Sequence, residues 1–406
     1  MRRSFWVLLV GQAISSLGDA FGAIAIGWLV YELTGSKLAM GALFVASLIP
    51  EVLMLMFGGP LIDRLNRLRL MAWTDLIRMV VYATPPLLAM TGHLSLWHLY
   101  GLSIIGGAAG GLFAPSLMAL LPSVVPEKQL MRANAIFNGA WQLMMLIGPG
   151  VAGVVVAIAG SQTALAVDAA SFAVSGLTLF LVPAALGAAK RVAGVGYLSQ
   201  LAAGFRFFGR APALLLLMLL TSVYNMCVTA VLSLFIPFVR DQLGAGPEVV
   251  GGLQSAVSVG FLAATAGLTF LGDFRYRRPV LLTAMVVGGA CVAGLGLMGQ
   301  GQAAGALGFC VIAGLMQAAF ITTSTSLFQR MVAPALRGRV MSVRMLLVRG
   351  ASPVGAFFGA VAAEYVGMPA MFLVAGLVPA ALALAAFLIP VLRQLDGDLT
   401  PISDVA

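Results

Sequence analysis

Hydrophobic positions run along this chain in long blocks, about twelve of them, each near the ~20 residues that cross a bilayer as a helix. Six lie in the first half: Phe5–Tyr31, Ala39–Ile62, Leu70–Met90, Leu96–Leu121, Asn134–Ala157 and Thr163–Leu186. Six more follow: Pro212–Val239, Val249–Leu271, Pro279–Met298, Gly305–Phe328, Val340–Ala363 and Pro369–Leu392. The polar connectors are short, and none could fold as a soluble domain. The first block follows only Arg2 and Arg3 and has no small-residue cleavage site, so it reads as a retained helix and not a leader peptide. The pattern predicts an all-α integral membrane protein with twelve transmembrane helices in two six-helix halves. Those halves are residues 1–186 and 212–393. A connector, 187–211, joins them, and 394–406 form a tail.

Composition closes off the alternative of a protein in water. The chain is 61% hydrophobic and 9% charged, with a mean hydropathy of +1.04. A soluble domain carries roughly 25% charged residues. The net charge of +9 would suit a nucleic-acid binder, but here it follows topology. With the N-terminus inside, nearly all Lys and Arg fall on one side, among them Arg64, Arg67, Arg69, Arg206, Arg275, Arg277, Arg278, Arg337, Arg339 and Arg393. Only Lys37 and Arg240 lie opposite. The positive-inside rule then puts both termini in the cytoplasm.

The two halves overlay. A shift of 210 places Gly41 on Gly251, Leu43 on Leu253, Asp63 on Asp273 and Arg67 on Arg277. Gly148-Pro149 and Ser352-Pro353 match more loosely. Two copies of a helical unit imply a device that moves one copy against the other. The connector holds Tyr197, Leu198, Leu201, Phe205 and Phe208 beside Arg206 and Arg210. It reads equally as an interfacial amphipathic helix or as a partly ordered linker.

The run Gly59-Pro60-Leu61-Ile62-Asp63-Arg64-Leu65-Asn66-Arg67-Leu68-Arg69 resembles the loop-2 signature of the major facilitator superfamily, and the likeness extends over essentially the whole chain. Asn66 stands where that signature favours Gly, and Leu68 interrupts its basic run. Further stretches are similar to the drug:proton antiporter branch that contains macrolide-efflux and enterobactin-exporter-like proteins. They are Ser16-Leu17-Gly18-Asp19, Leu29 to Ser36, Asp75-Leu76-Ile77-Arg78, Ala133-Asn134 and Arg337 to Ser342. Of the antiporter glycine motif, Gly148, Pro149 and Gly153 are present, while Ala135 and Met144 replace expected glycines.

The resemblance implies a multi-pass transporter of the bacterial inner membrane, monomeric and without cofactor, whose partners are lipid, protons and a small molecule. It implies proton-coupled export, by alternating access, of amphipathic compounds such as drugs, macrolides or siderophores. The alternative is transport of a lipid-like or endogenous metabolite, including uptake. Gly59, Asp63, Arg64, Arg67, Asp273 and Arg277 would form cytoplasmic latches, with Asp63 accepting from a helix N-terminus. Asp75 and Arg78, one turn apart, would pair beside the latch.

Ionisable residues inside the membrane are functional candidates because a stranded charge is costly there. Asp19 and Glu51 are the proton-coupling candidates. Glu51 lies roughly 18 Å from the Asp63 end of its helix and Arg349 roughly 15 Å from Arg339, so both sit near the midplane; the resemblance, in which the second and eleventh helices face each other, implies a pair between the halves or a shared water-filled cavity. Asp168, near the outer end of its helix, is expected to be structural. Gln12, Trp28, Tyr224, Asn225, Gln317, Thr322 and Ser326 are the cavity candidates, on helices that line the cavity in the family. Gly106 with Gly110, and Gly355 with Gly359, suit close helix approach.

Other chemistries lack their residues. There is no Gly-Lys dipeptide for a phosphate-binding loop, no His-Glu-x-x-His and no Gly-x-Ser-x-Gly. Cys227, Cys291 and Cys310 have no metal-ligand spacing, and His93 and His98 lack a carboxylate or thiolate neighbour. The sequence therefore predicts neither an enzyme nor a metal site.

Overall fold

The structure, a computed structural model, describes residues 3–188, 197–272, 275–397, 399 and 402. Asp273 of the second basic loop and residues 189–196 of the connector lie outside the described residues. Helix α1 is Arg3–Thr34 and α2 is Lys37–Phe57, started by Ser36, whose hydroxyl accepts from Ala39 N at 3.2 Å. A one-turn helix, Gly59–Arg64, leads into α3, Arg67–Met90; α4 is Leu96–Val124. The helical run Leu130–Phe180 turns at Gly160, whose φ of 82° and ψ of 164° only glycine adopts readily. We treat it as α5 (130–159) and α6 (161–180). The sequence suggested a connector here, and a single residue makes the turn.

A helix at Tyr197–Arg210 precedes α7, Pro212–Ser233. Then come α8 (Pro247–Leu271), α9 (Arg277–Gly296), α10 (Ala303–Met331), α11 (Pro334–Tyr365) and α12 (Met368–Phe387). Among the described residues ten helices are long and apolar enough to cross a membrane. Splitting Leu130–Phe180 at Gly160 and adding the less apolar α3 gives twelve. Side chains such as Val80, Leu87, Phe270 and Phe358 remain exposed, as on a surface that faces lipid. Helices apolar all round belong in that setting.

Contacts gather the chain into two compact units. One is Met1–Val192 with Phe235–Ser255, and the other is Ala193–Leu234 with Ala256–Ala406. In the first, α1 and α3 pack on the Leu130–Phe180 pair and α2 packs on α4. In the second, α7 packs on α11, and α9 on α10 and α12.

The repeat reappears in the glycines. A Cβ on Gly107 of α4 would lie 2.1 Å from the Ser47 carbonyl oxygen of α2. A Cβ on Gly314 of α10 would lie 2.0 Å from the Val257 carbonyl oxygen of α8. Val257 stands 210 positions after Ser47 and Gly314 stands 207 after Gly107. Each unit therefore brings two helix backbones together through a glycine at the same place.

The connector helix is anchored. Phe207 and Phe208 are buried with Phe328 and Val343, and Gly204 lets the helix approach the Arg339 carbonyl of α11. The segment after α12 is anchored too. Asp396 accepts from Arg278 N at 2.8 Å, so its carboxylate caps the N-terminus of α9. Gly397 N donates to Arg275 O, and Ile402 pairs with Met331 and Ala333.

Candidate functional site

The first unit contains a polar cluster, far apart in sequence, built from α1, α3 and α6. Arg78 lies 11 residues into α3, about 16 Å along its axis. Its Nη1 is 3.7 Å from Asp19 Oδ1 on α1. The guanidinium rests over the Phe172 ring at 5.1 Å and near that of Phe113 at 5.8 Å. Room for it comes from Gly110, where a Cβ would lie 2.4 Å from Nη2.

Asp75, one turn earlier on α3, is fully buried. Its Oδ2 accepts from Ser175 Oγ at 2.6 Å, and Ser175 accepts from Gln12 Nε2 at 3.1 Å. The sequence paired Asp75 with Arg78 as part of the latch. In the structure Arg78 reaches Asp19, and Asp75 is held by hydroxyl and amide from α6 and α1. The correction comes from helix rotation, which carries both residues into the bundle.

Asp168 on α6, expected to be structural, is fully buried, and Ser171 Oγ lies 3.4 Å from its Oδ1. Gly18 and Gly22 of α1 make its pocket. A Cβ on Gly22 would lie 2.1 Å from Asp168 Oδ2 and 2.6 Å from Tyr82. The one available signal was the Gly18–Gly22 spacing, which brackets Asp19 and lets α6 approach.

Asp19, Asp75 and Asp168 thus lie near one guanidinium, which ion-pairs with Asp19. Asp19 keeps 46% of its side chain accessible, while Asp75 and Asp168 are at 0%. Asp75 Oδ1 and Asp168 Oδ2 have no hydrogen-bond partner. Carboxylate ions in apolar surroundings require a counter-charge or a proton. One arginine cannot neutralise three aspartates, so the cluster is built to take up positive charge. Asp19 is its open member.

The glycine motif organises a second feature of this unit. Pro149 interrupts the α5 backbone ladder, and Ser255 of α8 fills the break. Gly150 N donates to Ser255 Oγ at 3.1 Å, and Ser255 Oγ donates to Leu146 O at 2.7 Å. A Cβ on Gly153 would lie 2.5 Å from Pro247 O, and one on Gly251 would lie 2.1 Å from Pro149 O. Gly148 lets α1 approach at Ala20. Ser255→Ala removes the bridge and should lower stability by about 1–3 kcal/mol, the cost of buried polar groups left without partners. A melting curve of the detergent-solubilised protein measures it.

Trp28 is a buried part of a polar seam in this unit. Its Nε1 donates to Glu32 Oε1 at 2.7 Å, Tyr31 donates to Asp241, and Arg240 lies over both rings. In the second unit Tyr224 is buried against Phe320. Asn225 donates to Val348 O and Ser352 Oγ. Gln12, Trp28, Tyr224 and Asn225 are therefore engaged within their own bundles, a role that polar side chains on apolar helices take readily. Gln317 is half-buried on α10. Thr322 and Ser326 line a cavity of about 270 Å³ with Thr323, Arg277 and Arg330.

In the first basic loop Asp63 and Arg64 are exposed on the one-turn helix after Gly59. Arg67 donates to Ala119 O at 3.0 Å. Asn66, which departs from the signature, caps α3 through Arg69 N and donates to Ala184 O at 2.7 Å. Arg277 is buried and donates to Gly397 O at 3.0 Å. Glu51 lies on α2 and Arg349 on α11, in different units. His98 joins Ser95 in the cap of α4. Among the described residues no three His, Cys, Asp or Glu side chains are grouped to hold a metal ion.

Comparison with known proteins places the chain in a family. A family model described as "transmembrane secretion effector" matches residues 1–404. The chain is 25% identical to the multidrug efflux pump Tap of Mycolicibacterium fortuitum, over 96% of each chain. It is 24% identical to macrolide efflux protein A of Streptococcus pyogenes, over 97% of each. Among solved structures, a bacterial homologue of the iron transporter ferroportin superposes with a TM-score of 0.71 at 16% identity, covering 94% of this chain and 98% of that one. A bacterial homologue of the lysosomal transporter Spinster gives 0.70 at 15%, covering 97% and 98%. At such identities the two structures speak for the fold alone.

Proposed function

Because the chain belongs to the transmembrane secretion effector family of major facilitator transporters, we propose that it exports amphipathic small molecules in exchange for protons. It does so by alternating access, as a monomer in the bacterial inner membrane with both termini cytoplasmic. The observation that carries the proton coupling is the cluster of three aspartates near Arg78, open at Asp19. A proton arriving at Asp19 loosens its hold on Arg78. The freed guanidinium then turns toward Asp75 and Asp168, which lie deeper. Protonation thereby changes how α1 is tied to α3 and α6, the kind of two-state contact that a transport cycle requires. The loops at Asp63 and Arg277 act as latches, and Glu51 is the second candidate for the proton.

The relatives named as multidrug and macrolide efflux proteins support drug-like cargo and an outward direction. The test uses purified protein in liposomes with an imposed pH gradient, following ethidium and erythromycin. The wild-type chain should move both against their gradients. Asp19→Asn should reduce movement to the level of protein-free liposomes while ethidium binding persists. Undiminished movement in Asp19→Asn would transfer the proton to Glu51. A wild-type chain that moves neither compound in response to the gradient would refute proton-coupled drug export.

A further inference from the structure

The second unit also holds a half-buried arginine near the cytoplasmic end of a span, in surroundings opposite to those of Arg78. Arg344 lies 10 residues into α11, about 15 Å along its axis. Its guanidinium stacks on the Phe328 ring at 4.7 Å. Its nitrogens face Ser324 Oγ at 3.3 Å and Thr325 Oγ1 at 3.4 and 3.5 Å, all on α10. The Nε is buried without a hydrogen-bond partner. Among the described residues no carboxylate lies within ion-pairing distance of Arg344. Arg78, also stacked on phenylalanine, lies near three aspartates; Arg344 has hydroxyls alone.

A half-buried guanidinium held by long hydroxyl contacts favours an anion as partner. Its planar fork suits a carboxylate, sulfonate or phosphate, which would fill the donors that the long hydroxyl contacts leave unsatisfied. Ser324 is fully buried, so the hydroxyl wall is fixed in place. The Phe328 ring, itself buried, backs the plane of the guanidinium.

We propose that Arg344 and Thr325 bind the acidic headgroup of an amphipathic cargo, with the buried Ser324 hydroxyl holding the guanidinium in place. The inference rests on the transport reading and adds a substrate class to it: acidic or zwitterionic amphipaths besides cationic drugs.

The experiment is equilibrium binding of radiolabelled taurocholate, with ethidium as the cationic control, to the full chain in phosphatidylcholine nanodiscs. Arg344→Gln should weaken taurocholate binding about 10- to 100-fold, the range for losing charge-assisted hydrogen bonds, and leave ethidium unchanged. Arg344→Lys, which keeps the charge, should retain part of the affinity. The milder double variant Ser324→Ala/Thr325→Val should weaken taurocholate selectively. Wild-type affinity in Arg344→Gln would overturn the proposal. So would loss of both ligands alike in Arg344→Gln and in the double variant. Nanodiscs containing phosphatidylglycerol separate cargo from lipid: taurocholate binding that survives them supports a cargo site, and its abolition assigns the site to a lipid headgroup and overturns the proposal. Binding is read without a pH gradient, so a failure of proton coupling would leave this result distinct.

Discussion

Arg78→Ala should destabilise the first unit by about 3–5 kcal/mol, the typical cost of removing one partner from a buried charge group. The substitution leaves Asp19, Asp75 and Asp168 without their cation and removes the guanidinium from Phe172 and Phe113. The double variant Arg78→Ala/Asp19→Asn should recover part of the loss, because the two residues contact each other and their effects are not additive. Thermal melting of the four chains in detergent gives the coupling directly. An Arg78→Ala chain that melts with wild type would mean that the cluster is not an electrostatic unit, and the proton-coupling argument would lose its base.

Gly107→Val should prevent the first unit from assembling, and Gly314→Val should do the same to the second. In each case the added Cβ meets a backbone carbonyl far inside van der Waals contact, 2.1 Å from Ser47 O and 2.0 Å from Val257 O, where Cβ atoms essentially never come under 3.0 Å. Backbone cannot rotate away as a side chain can, so the helices must separate. The cost should exceed the 1–3 kcal/mol usual for overpacking. Gly101→Ala on α4 is the control, since nothing lies within 4 Å of a Cβ there. It should be neutral or stabilising by up to about 1 kcal/mol through helix propensity. Yield and monodispersity on size exclusion distinguish the three. Equal behaviour of Gly107→Val and Gly101→Ala would refute the close-approach argument.

These contacts show what the sequence could and could not reveal. Hydropathy alone marked out the twelve helices, because crossing a bilayer imposes a length and an apolar composition that few other folds share. It placed the α5–α6 boundary between Ala157 and Thr163, around the turn at Gly160. It also found Asp19 as an intramembrane carboxyl. It could not pair Asp19 with Arg78, 59 positions away, or bring in Asp168. The spans are apolar around their whole circumference, so the pattern carries almost no information about which face turns inward. A helix rotated by half a turn would read the same. Arg344 was hidden for the same reason: its hydroxyl neighbours are on another helix, and only its register against α10 shows that they face it. Asn66 is the converse case. Its departure from the loop signature looked like a defect, and local capping geometry explains it.

The Asp396 cap on α9 has a consequence for biosynthesis. Helix α9 enters the bilayer more than a hundred residues before the carboxylate that caps it is made. Until then the first turn of α9 lacks the Asp396 cap on Arg278 N, and the Gly397 carbonyl that Arg277 Nη1 donates to does not yet exist. A nascent chain stalled just short of Asp396 would already contain all twelve spans and still be unfinished at that end of its second unit. Completion of that end of the second unit therefore waits on a segment that follows the last span, and not on the helices themselves.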